Sequence, residues 1–201
     1  MILHNHSDAT YLVATGARSR VAGYTYLGDD MNNTQIINRR ISIIAKIIKG
    51  VMSSAAEAEI GALYMNARQL LPLRVTCEEL GHPQPATPMQ TDNNTASGII
   101  NGTFNQARSK VIDMRYYWLM DRATQKQFRI YWDRGIKNLA DYFSKHHSRA
   151  HHKQVRPIFL HTNNSPSSLQ GCIKLLGQRA SKLKALIRFS GVQQGQQSTA
   201  A

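Results

Sequence analysis

Apolar positions along the 201-residue chain change period several times, and each change marks an element. Residues 20–27 are rich in Val, Tyr and Thr, and residues 36–48 alternate, with Ile41, Ile43, Ala45 and Ile47 on one face. A period of two predicts strands. The run from Gly28 to Asn33 between them consists largely of turn formers, so the two strands should pair as an antiparallel hairpin. A third strand is expected at Ile2 to Asp8, where His4, Asn5 and His6 break the alternation. Ser54-Ala-Ala-Glu57 then reads as a capping box, with Glu57 reaching back to the backbone donor of Ser54. Ile60, Leu63, Tyr64, Ala67 and Leu71 recur at helical spacing and predict a helix to about Leu80, kinked at Pro72 and stopped by Gly81-His82-Pro83. Met89 to Asp92 reads as a short strand, Thr95 to Ile100 as a short helix and Ser109 to Lys126 as a longer one. That last helix carries Ile112, Tyr116, Leu119 and Ala123 as an apolar stripe, with Arg108, Arg115 and Arg122 beside it. Phe128 to Trp132 is a final strand, followed by a helix from about Asn138. Strands interleaved with helices in this order predict an α/β layered sheet with helices packed on it.

Charge divides the chain in two. Residues 1–141 hold all 12 acidic residues and 16 of the 25 basic ones, whereas residues 142–201 hold nine basic residues and no acid. A domain over 1–150 is therefore expected, then a basic linker and tail over 151–201 with an amphipathic helix at 169–189. A cationic tail of this kind suits a polyanionic partner, because Lys and Arg gain affinity by releasing counterions condensed on nucleic acid. A plain solvated tail has the same composition. Cys77 and Cys172 make no disulfide framework and no Cys-x-x-Cys metal or redox site, which fits a reducing compartment, the cytoplasm or nucleus. The residues after Met1 lack an apolar signal core, and the greasiest stretch, 41–52, is broken by Lys46 and Lys49. No membrane span is expected.

Four acids stand where a metal site could be built: Asp8 ending a strand, Glu59 inside a helix, Asp92 ending a strand and Asp141 near a helix start. Each also has a bland reading: a turn acid for Asp8, a cap of the following helix for Asp92, a helix-dipole partner for Asp141. Glu59 has no capping role, because Glu57 takes that position. The local sequences add more. His6-Ser-Asp8-Ala, Ala17-Arg-Ser-Arg-Val-Ala-Gly23-Tyr, Ser53-Ser-Ala-Ala-Glu-Ala-Glu59-Ile-Gly-Ala-Leu and Leu80-Gly-His-Pro-Gln-Pro occur in order. Gln90-Thr-Asp92-Asn-Asn-Thr-Ala, the segment from Ser109 to Tyr117 and Asn138-Leu-Ala-Asp141-Tyr-Phe-Ser-Lys-His-His147 follow. Over residues 2–161 this series resembles the ribonuclease H domain of copia-type LTR retrotransposon polyproteins.

The resemblance implies a ribonuclease H-like fold, a mixed five-stranded sheet, with Asp8, Glu59, Asp92 and Asp141 as ligands of two Mg²⁺ or Mn²⁺ ions. It implies hydrolysis of the RNA strand of an RNA–DNA hybrid, with reverse transcriptase and integrase as neighbours in a parent polyprotein. Clustered carboxylates repel and raise each other's pKa, and hard divalent cations between them relieve the repulsion. Arg108, Lys110, Arg115 and Arg122 are the candidate phosphate contacts, with a solvated helix face as the alternative. Two departures point to a second reading, an inactive retroelement remnant that only binds nucleic acid. The segment 132–141 lacks the His that many ribonucleases H carry before the last Asp, and Val111 stands where relatives commonly have His. His146, His147, His151 and His152 crowd together but lack an acid or Cys to complete a zinc site, and read as exposed histidines. Tyr26-Leu27-Gly28-Asp29-Asp30 has one residue too many between Tyr and the acids for a polymerase motif, and the Asp at 141 argues against a transposase or integrase.

Overall fold

A computed structural model of the chain describes residues 1–28, 40–103 and 110–160, with the side chains of 110–113 outside the description. The described elements are β1 (Ile2–Ala14), β2 (Arg18–Gly28), β3 (Ser42–Ile47), α1 (Ala55–Glu79), β4 (Thr87–Thr91), α2 (Asn94–Ile100), α3 (Lys110–Thr124), β5 (Phe128–Trp132), a 3-10 turn (Gly135–Lys137), α4 (Asp141–Ser144) and α5 (Arg149–Phe159). The strands form one five-stranded sheet in the order β3-β2-β1-β4-β5. β1, β2 and β3 are antiparallel, whereas β4 runs parallel to β1 and β5 parallel to β4, so the sheet is mixed.

Both faces of the sheet are covered. Ile60, Leu63, Ala67 and Leu70 of α1 meet Met89, Phe128, Ile130, Ile99 and Leu119 in one apolar cluster, and Ala58 and Ala62 pack on Val21, Ile44 and Ile48 in a second. On the opposite face Ala22, Tyr24 and Tyr26 pack with Ala140 and Phe159. Successive residues of β2, Val21 and Ala22, thus serve opposite layers, as a pleated strand requires. The β2–β3 hairpin pairs Arg20↔Ile47 through Thr25↔Ser42, and the turn expected over 28–33 lies largely outside the described residues. Within β3 the core residues are Ile44 and, just beyond the strand, Ile48. The Ile41, Ile43, Ala45, Ile47 face is the more exposed one, because α1 lies against its opposite side.

The least regular strand in the sequence is the longest in the fold. β1 is central, with β2 on one side and β4 on the other, and His4, Asn5, His6, Ser7 and Asp8 are all buried. Apolar alternation fails there because several of these polar groups are bonded inside the protein rather than to water. Asn5 Nδ2 donates to Thr25 Oγ1 at 3.0 Å, and Asn66 Nδ2 of α1 donates to Ser7 Oγ at 3.1 Å and to Ala22 O at 3.1 Å. Asn66 lies so close to β2 that a Cβ at Gly23 would sit 1.7 Å from its Oδ1, which explains the glycine there. His6 Nδ1 accepts the Leu139 amide at 3.0 Å, so the ring proton is on Nε2, which faces Tyr26 Oη at 3.1 Å. Burial, with help from His4, holds the His6 pKa down to about 3, and the ring is neutral.

Other boundaries moved for local reasons. α1 continues through Pro72 to Glu79 and ends where Gly81 takes φ +82. Its cap differs by one residue from the expected box: Ser54 Oγ accepts the Glu57 amide at 3.1 Å, but the Glu57 carboxylate accepts the amide of Ser53, at 2.6 Å. The buried Arg74 holds the following loop through Gln84 O and Pro85 O. Gln84 in turn accepts the Leu3 amide at 2.9 Å, pinning the start of β1. The helix expected from Asn138 is instead a 3-10 turn, the single turn α4 and a separate α5, divided at Lys145 by an extended backbone. Residues 149–159 are helix rather than linker, and Phe159 is buried against Tyr24, so the compact unit runs over Met1–Phe159 and the boundary expected at 150 falls inside α5. The tail beyond, including the helix expected at 169–189, lies outside the described residues.

Candidate metal centre

The parallel pair β1 and β4 brings the acids together. Its register pairs Asn5 with Met89 and His6 with Gln90, so Asp8 and Asp92 each lie two residues further along their chains. Asp92 directly follows β4, whereas β1 continues past Asp8 to Ala14, so Asp8 lies mid-strand rather than at the strand end expected from the sequence. α1 crosses beside them and delivers Glu59, whose Oε1 accepts the Ala9 amide at 3.0 Å and whose Oε2 accepts from Thr91 Oγ1 at 3.2 Å. Oxygens of Asp8, Glu59 and Asp92 all lie within 4.8 Å of one another, the one such potential metal-holding group among the described residues.

Each side chain is held by its neighbours. Asp8 Oδ2 accepts from the buried Ser144 hydroxyl, which also lies 3.1 Å from Asp141 O. Asn138 donates to Ser7 O at 2.8 Å and accepts the Ala140 amide at 3.0 Å, tying the segment before α4 to β1. The capping role open to Asp92 belongs to Asn93, whose Oδ1 accepts the Ala96 amide at 3.0 Å. Asp92 is thus left for the site, with Trp132 Nε1 donating to its backbone carbonyl at 3.0 Å. The loop after β5 passes directly over it: a Cβ on Gly135 would stand 2.8 Å from Asp92 Oδ2.

Asp141 stands in the first turn of α4, as its dipole reading anticipated, and its Oδ1 is bonded to Lys145 Nζ one turn on. It is not in the three-acid group, although its charge acts on Asp8 and Asp92. The electrostatics follow from burial and crowding. Burial pushes the Asp8 carboxyl up to about 6, with Asp92 and Asp141 adding to the rise and Ser144 and Lys145 opposing it. Glu59 rises well above the usual carboxylate range, first through burial and then through Asp8 and Asp92. Asp92 rises through burial and, against the pull of Lys145, through the charge of Asp141. Burial works against the Lys145 charge, but its bond to Asp141 and the charges of Asp8, Asp141 and Asp92 raise its pKa on balance. Three carboxylates whose charge is disfavoured by desolvation and by one another, offering only oxygen, fit a hard divalent cation such as Mg²⁺ or Mn²⁺.

Of the four basic candidates, the structure describes the side chains of Arg115 and Arg122. Arg115 lies over the Tyr64 ring at 5.9 Å, and Arg122 lies over Trp118 at 5.4 Å and pairs with Asp121 at 3.9 Å. Arg108 and the Lys110 side chain lie outside the described residues. His147, His151 and His152 gather around Tyr142, with His152 Nδ1 2.8 Å from its hydroxyl and the His147 and His151 rings stacked at 4.4 Å. Ser144, Thr91, Asn138 and Lys145 are the site residues that the sequence reading passed over. Asn138 and Ser144 to Lys145 lie within the motif around Asp141, which was the available signal.

The architecture is that of ribonuclease H. LC11-RNase H1, solved in complex with an RNA/DNA hybrid, superposes with a TM-score of 0.50 at 12% identity over 70% of this chain and 92% of that one. The N-terminal RNase H domain of a Mycobacterium tuberculosis protein gives 0.49 at 14% identity, over 71% and 90%. The sequence, in turn, is similar to the retrovirus-related Pol polyprotein from transposon TNT 1-94 of Nicotiana tabacum, 28% identical over 144 residues. That match spans 72% of this chain but only 10% of the polyprotein. No family model matches the chain. Fold and sequence together support the resemblance to the ribonuclease H domain of a retroelement. No described helix is long and apolar enough to cross a membrane.

Proposed function

We propose that the chain is a ribonuclease H module of retroelement origin that hydrolyses the RNA strand of RNA–DNA hybrids, with Asp8, Glu59, Asp92 and Asp141 as ligands of two Mg²⁺ or Mn²⁺ ions. The observation that carries the reading is the convergence of Asp8, Glu59 and Asp92 oxygens within 4.8 Å, with Asp8 on the central strand β1, Asp92 directly after the parallel strand β4 and Glu59 on α1. Bound divalent ions would supply the activation of water and the stabilisation of the leaving 3′-oxygen. The chain's own residues supply the frame: the Ser144 hydroxyl orients Asp8, and the Ala9 amide and Thr91 hydroxyl orient Glu59. Phosphate contacts fall to Arg108, Lys110, Arg115 and Arg122 and to the basic tail, and recognition follows hybrid shape and 2′-hydroxyls rather than base sequence. The module works inside the cell, in cytoplasm or nucleus, beside reverse transcriptase and integrase regions of a parent polyprotein.

The alternative, an inactive remnant that binds nucleic acid, draws support from the absence of His between Trp132 and Asp141 and from the Lys145 ammonium on Asp141. Incubation of a labelled hybrid with the protein and Mg²⁺, beside double-stranded DNA and double-stranded RNA, separates the two. Cleavage of the RNA strand alone supports the enzyme; binding without cleavage supports the remnant.

A further inference from the structure

We propose that Lys145 is an internal counter-ion of the carboxylate site, competing with the divalent metal for Asp141. The inference rests on the metal-site reading above and adds a residue that the reading does not use. Most surface ion pairs one helical turn apart contribute little. This one differs in what surrounds it. Its acidic member belongs to the motif that completes the four-acid set, yet Asp141 is turned to Lys145 while the other three acids lie within 4.8 Å of one another. The buried Ser144, next to Lys145 in sequence, bonds Asp8 and lies against Asp141 O, so the lysine backbone is anchored to the wall of the site. Among the described residues, Lys145 is the cation whose charge acts on Asp8 and Asp92 as well as on Asp141. The other i,i+4 lysine of this region, Lys137, is occupied by Asp133 at 3.1 Å.

Without metal, the ammonium offsets part of the carboxylate repulsion. A divalent ion that recruits Asp141 must break the Lys145 pair and then meet a like charge nearby, so affinity is lowered and the fourth ligand is released only when an ion arrives. Calorimetric titration of the whole chain with Mn²⁺ tests this without reference to cleavage. Lys145→Gln should bind Mn²⁺ about tenfold more tightly or better, since Asp141 no longer has to leave a cation before it meets the ion. Its metal-free melting temperature should fall. Lys145→Arg keeps the charge and should stay within about twofold of the parent affinity. In an Asp141→Asn background, Lys145→Gln should no longer tighten binding about tenfold, which a merely structural lysine would not explain. Equal or weaker Mn²⁺ binding by Lys145→Gln overturns the counter-ion role alone. Absence of Mn²⁺ binding by every variant overturns both that role and the metal-site reading.

Discussion

Removing the charge of Asp8 should stabilise the metal-free protein at neutral pH, and by an amount that depends on pH in a defined way. The folded carboxyl titrates at about 6 against 3.8 for the ordinary group, chiefly because it is buried. Below about pH 4 both folded and unfolded chains hold the proton, and Asp8 imposes no penalty. As pH rises from there to about 6 the unfolded chain releases its proton first, so stability is lost through this window and stays lost above it. At about 1.4 kcal/mol for each pKa unit, the cost at pH 7 is about 3 kcal/mol. Asp8→Asn removes it while leaving an oxygen to accept from Ser144. His6 has the opposite sign, neutral when folded and losing stability as pH falls below its ordinary value of 6.5, so the raw profile of either protein is a mixture. The difference between them cancels His6 and leaves Asp8 together with the repulsion it exerts on Glu59. Urea denaturation in EDTA at intervals from pH 4 to 7.5 should show Asp8→Asn near parity at pH 4 and more stable by about 3 kcal/mol at pH 7. A difference that is constant across this range, or that favours Asp8 at pH 7, would refute the assignment of a buried, repelled carboxylate.

Two further outcomes follow from the same geometry. Glu57→Gln keeps an acceptor for the Ser53 amide and should cost well under ~1 kcal/mol with cleavage retained, whereas Glu59→Gln should fold, melt slightly higher in EDTA and lose cleavage by orders of magnitude; comparable losses in both would overturn the division between cap and ligand. Removing residues 162–201 takes away Lys174, Arg179, Lys182, Lys184 and Arg188, so the slope of log affinity for hybrid against log salt should fall by up to about 4 to 5 while cleavage persists; an unchanged slope would mean that the tail meets no phosphate.

The sheet was legible in the sequence wherever one face of an element is apolar: β2, α1, α2, α3 and β5 lie close to where hydrophobic periodicity predicts them. For β1 the expected strand at Ile2 to Asp8 exists but runs on to Ala14, and its polar residues, whose partners Asn66, Thr25 and Leu139 are distant in the chain, hid its regularity. The pattern failed for the face of β3, where isoleucines occur on both sides and only the position of α1 decides which side is core. For the site, motif resemblance picked out the acids, and the fold brings three of them together. The pairing of Asp141 with Lys145 was not legible, because an i,i+4 pair in sequence is ordinary, and only the neighbouring carboxylates give it meaning.

The central claim, metal-dependent hydrolysis at the four-acid site, is tested most directly by strand-resolved cleavage of an RNA–DNA hybrid by the whole chain with Mg²⁺ or Mn²⁺, run beside Glu59→Gln and beside excess chelator. Products from the RNA strand only are expected, ending in 3′-hydroxyl groups and abolished both by chelator and by Glu59→Gln. Cleavage that persists in chelator, that is equal on the DNA strand, or that is undiminished in Glu59→Gln would contradict it.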